Sequence, residues 1–454
     1  MDNIFFYILS LKINGIKNIN KQVEFDFYNA KITNDFDTSM YNIKAIYGEN
    51  GVGKSGIISS LLITKKIVQR NEYLKQTINQ EFLINTINKE KKKFEIEIEF
   101  LIKIAGNIFI YNYILNLAIN KGRVIVSKEE IKERLKTKKS YKTLLNVENG
   151  IIHQINCDDS LKEIIVSSTN NILLDGSIVG IVSNNGLLIN SINDYNDNDN
   201  SKFLSAIFSV NLLFDYMTIY MDQSDTHEDY IIRNFISSNR KMLESIGEKA
   251  LNPLITIFLS KNDYDINKIN VDENLVKKNN IKIFEKNIKK LTNFIQIFKP
   301  DLKNIEIERK TNGDNYICRL IMKYNKYDIN TEYESNGVKK LINMFNALLS
   351  LNDGNIVFID EIDSNIHDVY LFKLIQYFDR FSKGQLCFTT HNLSPMTLLS
   401  KRKKGIDFIS REGDVVSWTS NGNRSAINFY QNGMVDKCPF NLQYFDFLKV
   451  FEEE

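Results

Sequence analysis

Strict alternation marks one stretch of the chain: Phe94, Ile96, Ile98 and Phe100 interleave with Glu95, Glu97 and Glu99. A period of two predicts a half-buried antiparallel strand with one face in water. Strand-like runs follow at residues 107–117 and 123–127, and again at 144–152 around a Glu-Asn-Gly turn. Residues 93–159 are therefore expected to form a small antiparallel β-subdomain. Ahead of it, 8–13 and 23–27 carry strand patterns separated by the polar turn Asn14-Gly15-Ile16-Lys17-Asn18. A third short strand, 43–47, runs into a glycine-rich loop, and 57–68 has helical spacing. Residues 160–300 look mainly helical, with an Asn/Asp-rich run at 193–200 expected as an exposed loop. Strands return at 305–309 and 316–324 as a hairpin around Asn312-Gly313. The expected fold class is α/β. Residues 1–92 and 301–454 form one core, with the β-subdomain and a helical lobe at 160–300 inserted between them.

The glycine-rich loop, residues 48–55, reads Gly-Glu-Asn-Gly-Val-Gly-Lys-Ser and fits GxxxxGK[ST] at every required position, between a strand and a helix. Each residue type has a chemical reason. Asn50, Gly51 and Gly53 belong to a loop whose backbone N–H groups turn inward around a β-phosphate, and the glycines avoid a Cβ clash there. Lys54 brings a compact charge to the β- and γ-phosphates, and Ser55 offers a hydroxyl to Mg²⁺ at the positive end of a helix. Residues 356–361, Ile-Val-Phe-Ile-Asp-Glu, complete the pattern. An uninterrupted apolar run suits a central parallel strand covered on both faces. Asp360 at its end is placed to hold the Mg²⁺ shell, and Glu361 to polarise the attacking water.

Two further features narrow the class. Glu334-Ser335-Asn336-Gly337 precedes an amphipathic helix with Val338, Leu341, Ile342, Phe345, Leu348 and Leu349 on one face. Ser335 and Gly337 can form an anion site at its N-terminus, 25 residues before Asp360. An N-cap serine with a turn glycine is the plainer alternative. Phe388-Thr389-Thr390-His391 is an apolar strand ending in a histidine 31 residues after Asp360, where an imidazole can meet a γ-phosphate.

Bulk properties add exclusions. The 454 residues are 43% hydrophobic and 25% charged, as in ordinary soluble proteins, and no segment is apolar and long enough for a bilayer. Cys157, Cys318, Cys387 and Cys438 are isolated, so disulfides and zinc are not expected, and the chain is read as cytoplasmic. A net charge of +2 neither demands nor excludes nucleic acid. The lysine clusters at 89–93, 132–142 and 401–404 read as solvated faces.

Taken together, the motifs resemble the SMC, RecF and OLD-like branch of the ABC ATPases. They resemble, more narrowly, the compact "AAA family ATPase" proteins of bacterial anti-phage systems, such as the AbiL, OLD and PARIS (AriA) ATPases. The matching text comprises residues 9–19, the phosphate loop, 334–337, 358–367 and 389–392. The resemblance implies an ATP- and Mg²⁺-dependent homodimer or higher oligomer in which Ser335 and Gly337 of one copy close on the γ-phosphate held by Lys54 and Ser55 of the other. It also brings Lys17 toward the nucleotide and makes residues 363–367 the link between composite sites. The glutamine that usually follows the first helix has three candidates, Gln69, Gln76 and Gln80. Ser-Asn-Gly in place of LSGGQ argues against a transporter subunit. Residues 392–454 lack the clustered carboxylates a metal-dependent nuclease needs, so an effector in trans is expected. The aromatic tail at 440–454 is either a docking segment or a packing element. A RecF-like, DNA-clamping ATPase is the alternative, which leaves nucleic acid open as a ligand.

Overall fold

The computed structural model describes residues 4–104, 106–169, 172–183, 198–221, 268–364, 366–419 and 425–435. The chain opens with β1 (Phe5–Asn14), β2 (Val23–Asp26) and β3 (Ile43–Gly48), then α1 (Lys54–Gln69) and α2 (Thr77–Thr86). The alternating stretch becomes β4 (Lys93–Ile104), β5 (Asn107–Asn120), β6 (Arg123–Arg134), β7 (Lys142–Glu148) and β8 (Ile151–Ile155). These strands do not stand apart from the N-terminal part. β4 pairs with β1 from Phe5↔Lys103 to Asn14↔Glu95, giving a seven-stranded antiparallel sheet in the order β2-β1-β4-β5-β6-β7-β8. Phe94, Ile96, Ile98 and Phe100 face its core, as their period requires.

Beyond it lie α3 (Asp159–Thr169), α4 (Ile178–Ser183), α5 (Asn198–Asp215) and a short strand, β9 (Met217–Tyr220). Here the expected helical lobe needs correction, because β9 pairs in parallel with the strand Ile356–Ile359 that precedes Asp360 and is part of the core sheet. Of the expected loop at 193–200, residues 193–197 lie outside the described residues, while α5 begins at Asn198. Asn200 is buried, donating to Asp158 Oδ2 at 2.6 Å and accepting from Asp158 N at 2.8 Å. The aromatic tail at 440–454 also lies outside the described residues.

The remaining elements are β10 (Glu273–Lys277), α6 (Ile281–Phe298), β11 (Leu302–Asn312), β12 (Asn315–Tyr324), β13 (Asp328–Asn330), α7 (Asn336–Asn352), β14 (Ile356–Ile359), α8 (Asp368–Phe381), β15 (Gln385–Thr389), β16 (Ile406–Ile409) and β17 (Val415–Ser417). The central sheet runs β17-β16-β3-β15-β14-β9; all its pairs are parallel except β16 with β17. Both faces of β14 are buried. Ile356 and Phe358 join a core shared with α1 and the seven-stranded sheet, while Val357 and Ile359 join a second core with α7 and α8. Each such side chain contributes about 1.5–3 kcal/mol by burial, which explains the unbroken apolar run. A third core lies between α6, the β10-β12-β11 sheet and the other flank of α7, through Val338, Ile342 and Phe345.

A side chain ties the two large sheets. The β1–β4 register shifts between Ile8 and Ser10, and there Gln385 of β15 donates to Ile8 O at 3.0 Å and accepts from Ile8 N at 2.8 Å. Its amide stands in for a missing strand neighbour, satisfying a buried peptide that would otherwise be orphaned.

Candidate nucleotide site

The site gathers where β3, β14 and β15 end at the same edge of the central sheet. Parallel strands with a crossover at each step place their C-terminal loops together, the usual position for a ligand in open α/β sheets. β3 delivers the glycine-rich loop. Gly51 and Gly53 adopt φ of 81° and 108°, the left-handed side open to glycine, and a Cβ on Gly53 would stand 2.7 Å from Ile19 Cγ1. Gly53 is the N-cap of α1, and no side chain caps that helix. An uncapped N-terminus facing a glycine loop suits an anion.

Lys54 is 6% exposed and donates to Gly48 O and Glu49 O, both at 2.8 Å. An ammonium has three N–H donors, so one remains for a phosphate oxygen. Burial pushes the Lys54 amine below its ordinary range, against the pull of Glu361, Asp360, Asp363 and Glu49. That balance places four carboxylates around one cation. Asn50 and Gly51 lie exposed at the loop's tip, and Ser55 sits in the first turn of α1.

β14 and β15 are locked together at their ends. Thr389 Oγ1 donates to Asp360 Oδ1 at 2.6 Å and accepts from Glu361 N at 2.8 Å, and Ile362 N donates to Thr389 O at 3.1 Å. Asp360 is therefore oriented by a hydroxyl while Glu361, exposed, turns away with φ of 46°. A left-handed backbone is costly for a glutamate and persists only where its surroundings hold it. Sequence reasoning did not assign a role to Thr389. Its signal in the sequence is a hydroxyl residue directly after the apolar run Leu386-Cys387-Phe388.

His391 N donates to Asp363 Oδ2 at 3.2 Å. Partial desolvation and then the Lys54 cation hold the imidazole below its ordinary range, opposed by Asp363, Glu361 and Asp360. The neutral ring therefore persists to lower pH than that of a free histidine. Any inflection in kcat/KM for Mg-ATP that belongs to His391 should thus fall on the acidic side of the ordinary imidazole range, and His391→Gln should remove it. A His391-dependent inflection on the alkaline side would contradict this assignment.

Lys17 lies in the turn after β1 with φ of 46°. Its backbone is tied by Lys17 N to Thr86 O at 2.7 Å and by Asn88 Nδ2 to Lys17 O at 2.8 Å. Desolvation lowers its amine, against the attraction of Asp360, one of the carboxylates that also act on Lys54. Its neighbour Asn18 donates to Gly51 O at 2.6 Å, linking that turn to the phosphate loop.

Ser335 is the N-cap of α7, accepting from Val338 N at 3.4 Å, and Gly337 falls in its first turn. Glu334 accepts from Ser335 N at 2.9 Å and from the Tyr324 hydroxyl at 2.6 Å. The plainer capping role is thus real, and the exposed Ser335 hydroxyl stays at the surface beside it. The same helix reaches the site through Lys340, whose Nζ donates to Glu361 O at 3.4 Å. None of the three candidate glutamines is placed here. Gln69 donates to Asp215 Oδ1 at 2.6 Å, Gln76 accepts from Asn79 Nδ2 at 2.8 Å, and Gln80 bonds Leu74 O and both backbone groups of Val124.

Among the described residues, no cluster of three or more His, Cys, Asp or Glu could hold a metal alone. A divalent ion here would complete its shell with phosphate oxygens and water, as magnesium does in nucleotide sites. No described helix is long and apolar enough to cross a membrane.

Residues 184–394, a little under half of the chain, match the family described as "AAA domain, putative AbiEii toxin, Type IV TA system". That stretch contains Ser335, Asp360, Glu361 and His391, whereas the glycine-rich loop precedes it. No curated protein matches the chain. Among solved structures, the chain is similar to the Smc head domain with a coiled coil and joint derived from Pyrococcus yayanosii. Identity is 14% over 91% of this chain and 97% of that one, with a TM-score of 0.38. The P-loop NTPase fold itself rests on the parallel order β16-β3-β15-β14, the β3–loop–α1 unit and the carboxylates at the end of β14.

Proposed function

We propose that the protein is an ABC-type ATPase of the SMC-like branch that binds Mg-ATP, hydrolyses it between two copies of the chain, and regulates an effector in bacterial anti-phage defence. The observation that carries the hydrolytic part is the joint setting of Lys54, Asp360 and Glu361. A buried cation sits on the phosphate loop, and Thr389 orients one carboxylate while fixing the peptide of the next. In this reading Ser55 and Asp360 hold Mg²⁺, which neutralises phosphate charge when bound. Asn50, Gly51, Gly53 and Lys54 bind the phosphates, Lys17 approaches them, Glu361 orients and polarises water, and His391 contacts the γ-phosphate. Ser335 and Gly337 would serve the partner copy's nucleotide, since an exposed serine at an amphipathic helix N-terminus is a natural anion contact.

The defence role draws on the resemblance and on the family description, which names a toxin of a toxin–antitoxin system. Co-expression with the genomic neighbour followed by phage challenge tests it. The wild-type pair is expected to protect, and Lys54→Ala to abolish protection. Protection unchanged by that substitution would sink the regulatory scheme.

The DNA-clamping alternative finds less support. The solvent face of the seven-stranded sheet sets Glu95, Glu97, Glu99, Glu130 and Glu148 among Lys12, Lys128, Lys132 and Arg134, in bridges such as Lys12–Glu97 and Lys128–Glu148. Two of the four basic residues at 401–404 are also engaged, Arg402 with Asp379 and Lys404 with Asp26. A phosphate-binding stripe needs cations in excess, and Lys12, Lys128, Lys132, Arg134, Arg402 and Lys404 are each matched by a carboxylate.

A further inference from the structure

We infer that Lys340 is a positioning residue that holds the peptide of Glu361 in its catalytic conformation; the inference rests on the hydrolytic reading above. Lys340 lies on α7, five residues after Ser335, and is 5% exposed. A lysine so deeply buried must find compensation for lost hydration. Its Nζ lies 3.4 Å from Glu361 O and 5.9 Å from the centre of the Tyr220 ring, an ammonium set against a carbonyl and an aromatic face.

Tyr220 is not an incidental neighbour. It ends β9 beside Ile359, and its carbonyl accepts from Asp360 N at 2.9 Å. The acidic turn is therefore held residue by residue. Tyr220 fixes the amide of Asp360, Thr389 Oγ1 the amide of Glu361, Lys340 the carbonyl of Glu361, and Thr389 O the amide of Ile362. Glu361 is the one member with a left-handed backbone, φ 46°. That conformation is disfavoured for a side chain with a Cβ, and relaxing it would swing the carboxylate away from the γ-phosphate. Thr389 and Lys340 grip the two ends of the residue, and Lys340 adds a charge-assisted bond at its carbonyl end. Because Lys340 touches the backbone and not the reacting atoms, it acts through Glu361.

The test compares the full-length wild type with Lys340→Met, Lys340→Gln, Glu361→Gln and the double variant Lys340→Met/Glu361→Gln. Measured quantities are kcat and KM for Mg-ATP, nucleotide Kd and thermal unfolding. Lys340→Met keeps the length and apolar stem, and is expected to lower kcat roughly ten- to a hundredfold, the scale of an ångström-level misplacement, with Kd within twofold of wild type. Lys340→Gln offers a neutral donor to the same carbonyl and should recover part of the loss, and it keeps the idea testable if the methionine variant fails to fold. In the Glu361→Gln background, Lys340→Met should have little further effect, because its target is already disabled. A kcat within twofold of wild type in folded Lys340→Met, or an equal proportional loss in both backgrounds, overturns the role of Lys340 alone. Absence of turnover in the wild type would instead overturn the hydrolytic reading itself.

Discussion

Lys54→Ala is expected to weaken Mg-ATP binding by roughly ten- to a hundredfold, because a hydrogen bond to a charged group is worth about 1.5–3 kcal/mol. The size of the effect is set by where the ammonium sits. Two of its three N–H groups are engaged by Gly48 O and Glu49 O, so the remaining donor is already aimed without further ordering of the side chain. Its charge also offsets Glu361, Asp360, Asp363 and Glu49, all of which act on it. Removing the cation leaves these carboxylates facing an incoming triphosphate, a repulsive change added to the lost contact. Lys54→Arg should rescue little, since a planar guanidinium does not fit a pocket shaped by two carbonyls at 2.8 Å from one nitrogen. Isothermal titration with Mg-ATP measures the effect, and an affinity within twofold of wild type in Lys54→Ala would remove Lys54 from the binding site.

The local parts of this site were legible in the sequence because their signals are local. Strand, glycine loop and helix follow one another within residues 43–69, so the motif and its context arrive together. The apolar run before Asp360 encodes burial on both faces, and β14 has it. Ser335 was readable as the start of a helix because its hydroxyl and the following apolar face both mark an N-terminus. What escaped was set by tertiary contacts. β9 is four residues long and follows α5 after only Tyr216, so nothing in Met217–Tyr220 announces a strand until β14 supplies its register. Alternation in β4 gave its faces but not its neighbours: the period is blind to β1 lying some ninety residues earlier. Gln385 at the β1 bulge and Lys340 beneath Glu361 are polar residues whose partners lie far away in the chain. From sequence alone, a lysine within the helix after Ser335 reads as a solvated one.

Glu361→Gln should lower kcat for Mg-ATP by about 10²–10⁴, the usual range for removing a general base, while nucleotide affinity stays near wild type. The substitution is nearly isosteric and leaves both backbone contacts of residue 361 in place, from Thr389 Oγ1 to its N–H and from Lys340 to its carbonyl. It also removes one negative charge from the group facing Lys54, so binding is expected to hold or tighten as chemistry fails. Binding without turnover has a further consequence if two copies share each site. ATP-bound copies should accumulate, and Glu361→Gln should elute at twice the protomer mass with Mg-ATP but at the protomer mass without it. Lys54→Ala, which loses the nucleotide, should stay at the protomer mass in both conditions. Light scattering coupled to size exclusion, together with phosphate release, separates the cases. Turnover within tenfold of wild type would assign the base elsewhere, whereas lost turnover with an unchanged elution volume would keep Glu361 as the base and discard the shared site.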